Sequence, residues 1–138
     1  MQKVLIDTDV VLDFFFGRQP FCEAAAQVFS LCELKRIHGY ITPVIFSNVY
    51  YLLGQTAPHQ KVVTKLNQLL LITDILIIDK NVLLTALASK FNDLEDAIQH
   101  YAALKAKNID VILTRNLKDY KKSEIGVLTP EHYINGYF

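Results

Sequence analysis

Three short stretches of this 138-residue chain concentrate oxygen-bearing side chains. Asp7-Thr8-Asp9 ends a first apolar run, and Asn92-Asp93-Leu94-Glu95-Asp96-Ala97 holds three carboxylates within four residues. Thr114-Arg115-Asn116 ends a later apolar run and is followed by Asp119. Carboxylates gathered at one point repel each other and raise each other's pKa unless a cation joins them. Such oxygen-rich sites suit Mg²⁺ or Mn²⁺. A bound Mg²⁺ keeps waters and takes phosphate oxygens, so it can activate a water and neutralise a phosphodiester during in-line displacement. Taken alone, these residues argue for an acidic cation site.

The acids are not equivalent. Asp93 and Glu95 lie near a helix N-terminus, where the helix dipole favours negative charge. Asp96 lies deeper, and the next turns are apolar (Ala97, Ile98, Tyr101, Ala102, Leu104), so its charge needs a partner. Asp7 closes a buried strand and could cap the helix that follows. Asp9, nearer the helix start, could do that job instead. Asp7 and Asp96 are therefore the leading metal-binding acids.

The elements that position these residues follow from hydrophobic spacing. Strands are expected at Lys3–Ile6, Gly39–Thr42, Ile75–Ile78 ending in Asp79, Val111–Leu113 ending in Thr114, and Val127–Leu128. Helices are expected at Val10–Phe16 with Gly17 as the stop, from Pro20 through Cys32, from Pro43 to about Gly54, and over Pro58–Leu71. Further helices are expected over Val82–Phe91, from an Asn92 or Asp93 cap to about Lys107, and after Thr129-Pro130-Glu131. Strand–helix alternation implies a parallel sheet with helices on both faces. In such sheets, sites form beyond the carboxyl ends of the strands, where Asp7, Asp79 and Thr114 stand.

Composition sets outer bounds. A chain of this length suits one domain over residues 1–138. With 51% hydrophobic and 20% charged residues, a packed core is expected and disorder is not. Zero net charge argues against coating nucleic acid through a basic surface, but not against a local site. Cys22 and Cys32 read as free thiols in apolar surroundings. The start, MQKVLIDTD, has no signal-peptide pattern, and no apolar run approaches the roughly 20 residues of a membrane span. A cytoplasmic protein is the expectation.

Taken together, VLIDTDVVLD, DLEDAIQHYAA and ILTRNLKDY resemble the PIN domain, and GYITPVIFSNVYYLL and VLTPEHY resemble one branch of its small bacterial proteins. The resemblance spans nearly the full length and is to the VapC-type toxin ribonucleases of type II toxin–antitoxin systems. It implies a three-layer α/β/α fold around a central parallel sheet, and Mg²⁺- or Mn²⁺-dependent cleavage of RNA. It further implies an antitoxin partner and a homodimer. Carried across, Asp7 and Asp96 are metal ligands, and Asn116 and Asp119 lie in the turn that supplies the fourth acid. Thr114 supports that turn and Thr8 the first loop. Apart from the resemblance, Arg115, Lys118, Lys121 and Lys122 form a local basic set that fits a nucleic-acid rim, although a solvated charged face is the plainer reading of such a run. The pair Tyr50-Tyr51 could stack on bases, although core packing is the plainer reading.

One departure stands out. The family usually carries a Glu on the helix after the second strand, where this chain offers Ser47 and Asn48. Three alternatives follow: a site that holds metal less tightly, a site that recruits Asp93 or Asp9, or a catalytically silent protein-binding module. A phosphatase of the haloacid-dehalogenase type shares Asp-x-Asp after a first strand, but Val10-Val11 stand where Gly-Thr usually follows. A receiver domain would use Asp79, yet VLTPEH lacks the Lys that fold wants at its fifth strand.

Overall fold

The computed structural model describes residues 1–138. Its centre is a five-stranded sheet: β1 (Gln2–Ile6), β2 (Ile37–Ile41), β3 (Thr73–Ile75), β4 (Val111–Leu113) and β5 (Gly126–Leu128). All pairings are parallel, in the order β3-β2-β1-β4-β5. β1 is central, and Val4, Leu5 and Ile6 are each fully buried. Burial on both faces explains why this strand reads as a continuous apolar run.

Seven helices surround the sheet: α1 (Thr8–Phe16), α2 (Cys22–Glu33), α3 (Pro43–Gly54), α4 (His59–Ile72), α5 (Lys80–Ala88), α6 (Leu94–Ala106) and α7 (Pro130–Tyr137). They form two groups. α1 packs on α2 and α3, α3 on α4, and α2 on α7, whereas α5 packs on α6. The α5–α6 pair links edge strand β3 back to β4, and a right-handed return places it on the opposite face. The fold is the expected α/β/α arrangement.

Local chemistry sets the helix starts. Asp7, Thr42, Asp79, Asp93 and Thr129 are extended N-cap residues, each accepting a backbone N–H of its own helix. Gly17 ends α1 in the left-handed conformation at φ 63°, which glycine adopts without strain.

Two expectations are corrected. The third strand is not Ile75–Ile78 but Thr73–Ile75, with α4 extending to Ile72. An edge strand lasts only as long as its partner: Ile41 pairs with Ile75, and the chain of β2 then turns into the Thr42 cap. Ile77 lies beyond the sheet and is exposed. Pro20 does not open a helix, because residues 18–21 form a turn and α2 starts at Cys22. Both cysteines are free; Cys32 is buried and Cys22 half-buried.

Candidate metal centre

The chain runs from β1 outward through β2 to β3, then returns to β4 and β5 on the other side of β1. The switch point is therefore the crevice between the carboxyl ends of β1 and β4. Asp7 follows β1 there and Thr114 follows β4, and the Asp7 N–H donates to the Leu113 carbonyl at 3.0 Å.

The acids converge on this crevice. Asp7, Asp9, Asp93, Glu95, Asp96 and Asp119 line one pocket of about 440 Å³. Thr8, Asn48, Gln99, Asn116, Arg18 and Tyr51 complete its polar and aromatic wall. Asp7 and Asp9 come from the start of α1, Asn48 from α3, and Asp96 from the first turn of α6. Asp119 comes from a short 3-10 turn, Leu117–Tyr120. Asp79 is not among them. It caps α5 through the Val82 N–H at 3.0 Å and pairs with Lys105, four residues past the end of β3 and outside the acidic pocket.

Asp7 is held on three sides. Its Oδ1 accepts the Thr8 N–H at 2.8 Å, and its Oδ2 accepts the Thr114 hydroxyl at 3.0 Å and the Tyr120 hydroxyl at 3.2 Å. Burial, then the negative charge of Asp9, pushes its pKa up to about 6 despite those donors. Asp96 is pushed up to about 7, first by burial and then by Asp7, Asp93, Asp119 and Glu95. Asp93 caps α6 by accepting the Asp96 N–H at 3.1 Å, so capping is its established role here.

The turn after β4 is tied to α1. Asp9 Oδ2 accepts the Arg115 N–H at 3.0 Å, and Thr114 Oγ1 accepts the Asn116 N–H at 3.1 Å. The Arg115 guanidinium does not project as an RNA-binding arm. It donates twice to buried Asp13, at 2.7 and 3.0 Å, and lies 4.1 Å from the centroid of the Phe21 ring. Lys118 is exposed, and Arg18, which borders the pocket, lies 3.6 Å from Asp13. Lys121 is exposed, while Lys122 donates to the Lys90 carbonyl. Tyr50 and Tyr51 are exposed at 44% and 65%, which overturns the core-packing reading.

Sequence reasoning missed Asp13, Arg18, Gln99 and Tyr120. Asp13 was hidden in an apolar helix, although an acid among Val10, Val11, Leu12 and Phe14 is itself a signal that a cation must lie close. Tyr120 and Gln99 look like ordinary helix residues until the fold brings them to Asp7 and to the Thr42 hydroxyl.

The donor set fits a hard divalent cation. It offers carboxylate and amide oxygens and no thiol or imidazole. Asp9 Oδ1 is buried with no hydrogen-bond partner, and Asp7 and Asp96 are both raised, first by burial and then by neighbouring acids. No three acids stand close enough to cage an ion unaided. Mg²⁺ rarely needs such a cage, since it retains waters and takes phosphate oxygens.

A family description of the PIN domain matches residues 3–118. The chain belongs to the PIN-domain family. The acids after β1, at the start of α6 and after β4 all fall at or between elements inside the matched stretch or directly beside its end, and so does Asn48 on α3. Similar solved structures are those of VapC- and FitB-type toxins. A toxin–antitoxin complex from Klebsiella pneumoniae is 23% identical, over 92% of this chain and 97% of that one, with a TM-score of 0.68. VapBC-1 from nontypeable Haemophilus influenzae is 12% identical, over 94% and 99%, with a TM-score of 0.69. VapC20 of Mycobacterium tuberculosis, a toxin that cleaves the sarcin-ricin loop, is 13% identical, over 79% and 86%, with a TM-score of 0.60. At these identities the likeness speaks to the fold. A search of curated protein sequences finds no match. No helix of this PIN-domain chain is long and apolar enough to cross a membrane.

Proposed function

We propose that this PIN-domain protein is a divalent-metal-dependent endoribonuclease and the toxin of a toxin–antitoxin pair. The observation that carries the reading is the convergence of Asp7, Asp96 and Asp119 on one pocket at the sheet's switch point. Their mutual repulsion is the electrostatic preparation a Mg²⁺ or Mn²⁺ site needs.

Asp7, Asp96 and Asp119 are the residues that would hold the ion, with Asp9 and Asn116 beside them. When bound, such an ion lowers the pKa of a water and offsets phosphodiester charge. The chain's own contribution is placement. Thr114 and Tyr120 fix the Asp7 carboxylate through their hydroxyls. Asn48 donates to Glu95, steadying the α3–α6 side. Arg18 and Lys118 attract the RNA backbone, a contact that positions without reading sequence.

The test is direct. RNA cleavage should require Mg²⁺ or Mn²⁺, stop with EDTA, and be abolished by Asp96→Asn while the fold persists. Cleavage without metal, or full activity in that variant, sinks the proposal.

The antitoxin partner is supported by relatives solved as toxin–antitoxin complexes, including FitAB bound to a DNA fragment. Phe14, Phe16, Leu70 and Leu71 stand exposed on α1 and α4 and offer apolar surface for an antitoxin or a homodimer. Sedimentation alone and with a co-expressed partner separates the two.

One observation favours a second reading, a catalytically silent binding module. Asn48 brings no charge where the family carries Glu, and no three acids form a ready cage. Calorimetric titration with Mn²⁺ discriminates, because absence of saturable binding selects the silent module.

A further inference from the structure

Tyr51 belongs to two neighbouring concavities. It borders the acidic pocket, and it also walls a second hollow of about 300 Å³ shared with Tyr50, Gln55, His59 and Val62. Tyr51 is 65% exposed. Nearby, Tyr50 is braced edge-on against His59, with ring centroids 6.1 Å apart at 83°, and its hydroxyl lies 3.4 Å from His59 Nδ1. Asn48, one helical turn before Tyr51 on the same face of α3, reaches into the acidic pocket.

Charge decides what this second hollow can take. α3 carries no charged residue, and none of the residues lining the hollow is Asp, Glu, Lys or Arg. A phosphate finds no cation there and is repelled by the acids alongside. A neutral planar ring finds an exposed aromatic face, with Gln55 and His59 as hydrogen-bonding groups at its edge. A Cβ added at Gly54 would meet nothing within 4 Å, so the rim of the hollow is open there.

We infer that Tyr51 is a stacking platform for an unpaired nucleobase of the RNA, one nucleotide or so from the phosphate held at the acidic centre. This rests on the ribonuclease reading, and it requires an unpaired base, because a base inside a duplex is already stacked on both faces. The continuity of the two concavities through one side chain is what joins base to phosphate. The platform is sequence-tolerant, since every base offers a π-face.

Fluorescence anisotropy of a labelled single-stranded oligoribonucleotide tests this, with Asp96→Asn protein so that binding is read without cleavage. Adding Tyr51→Ala should weaken binding about tenfold, while Tyr51→Phe should keep it. One abasic nucleotide walked along the strand should reproduce the loss at one position, and should add nothing to Tyr51→Ala. Equal affinity of the Tyr51→Ala protein and its parent overturns the subsite. So does an unchanged RNA affinity accompanied by a weakened homodimer in sedimentation, which would make this face a protein surface. The ribonuclease reading is judged separately, by whether otherwise unaltered protein cleaves RNA with Mn²⁺. Cleavage together with equal affinity removes only the platform, and absence of both binding and cleavage removes both.

Discussion

Asp13 and Arg115, 102 positions apart, are joined by two hydrogen bonds of 2.7 and 3.0 Å, although Asp13 is flanked in α1 by Val10, Val11, Leu12 and Phe14. The pair fastens the turn after β4 to α1. The Arg115 N–H meets Asp9 in the same turn, so the clamp also sets where Asn116 and Asp119 stand relative to Asp7. Removing one partner of a buried pair leaves the other's charge uncompensated. Asp13→Ala should therefore destabilise the fold by about 3 kcal/mol, the low end for buried pairs because Arg115 keeps some solvent contact. Urea unfolding measures this, and a loss below about 1 kcal/mol would show that the clamp is a surface pair.

The stability of metal-free protein should fall as pH rises from 5 to 8. Asp7 and Asp96 carry pKa values of about 6 and about 7 in the fold, against 3.8 as the ordinary value. Between 3.8 and those values the native state binds more protons than the unfolded chain, so stability drops with increasing pH. The contribution is fully present below 3.8 and is lost as pH passes through 6 and 7. Melting curves in EDTA should show this slope, and Asp96→Asn should flatten it. A slope of the opposite sign contradicts the assignment.

Asn48→Glu should tighten Mn²⁺ binding on the order of tenfold, since affinity of such sites follows the number of ligand charges. It should also lower the melting temperature in EDTA, because the new carboxylate would face Glu95, the present partner of Asn48 at 3.2 Å. Calorimetry and melting read the two effects. Unchanged affinity would place residue 48 outside the ion's reach.

Tyr120→Phe removes one of three donors to Asp7 and leaves the carboxylate less well satisfied. The expected cost is about 1 kcal/mol of stability. That bond holds the Asp7 pKa down, so its loss should push the pKa higher and move the onset of RNA cleavage to higher pH. A pH–rate profile that matches the wild type would show that the Tyr120 hydroxyl only fills space.

Much of the fold is legible in the sequence because its signals are local. Period-3.6 apolar spacing marks α2, α4 and α6, Thr42-Pro43 and Thr129-Pro130 mark helix starts, and Lys3–Ile6 and Val111–Leu113 read as strands with acids or hydroxyls at their ends. β3 was misplaced because an apolar run does not say where its neighbour stops. The end of β2 at Ile41 decides that, through a pairing made across the sheet.

The acids after β1, in the first turn of α6 and after β4 could likewise be named from residue type and order alone, because a carboxylate at the edge of an apolar segment announces an unmet charge. Their common pocket, the clamp of Arg115 by Asp13, the hydroxyls on Asp7 and the exposure of Tyr51 could not. Each depends on which side chains meet when β4 is laid beside β1 and α6 returns over the sheet. Local spacing determined the elements and the candidate acids. Only tertiary packing decided that Asp79 stands apart, that Arg115 is a structural cation, and that a neutral aromatic face adjoins the acidic centre.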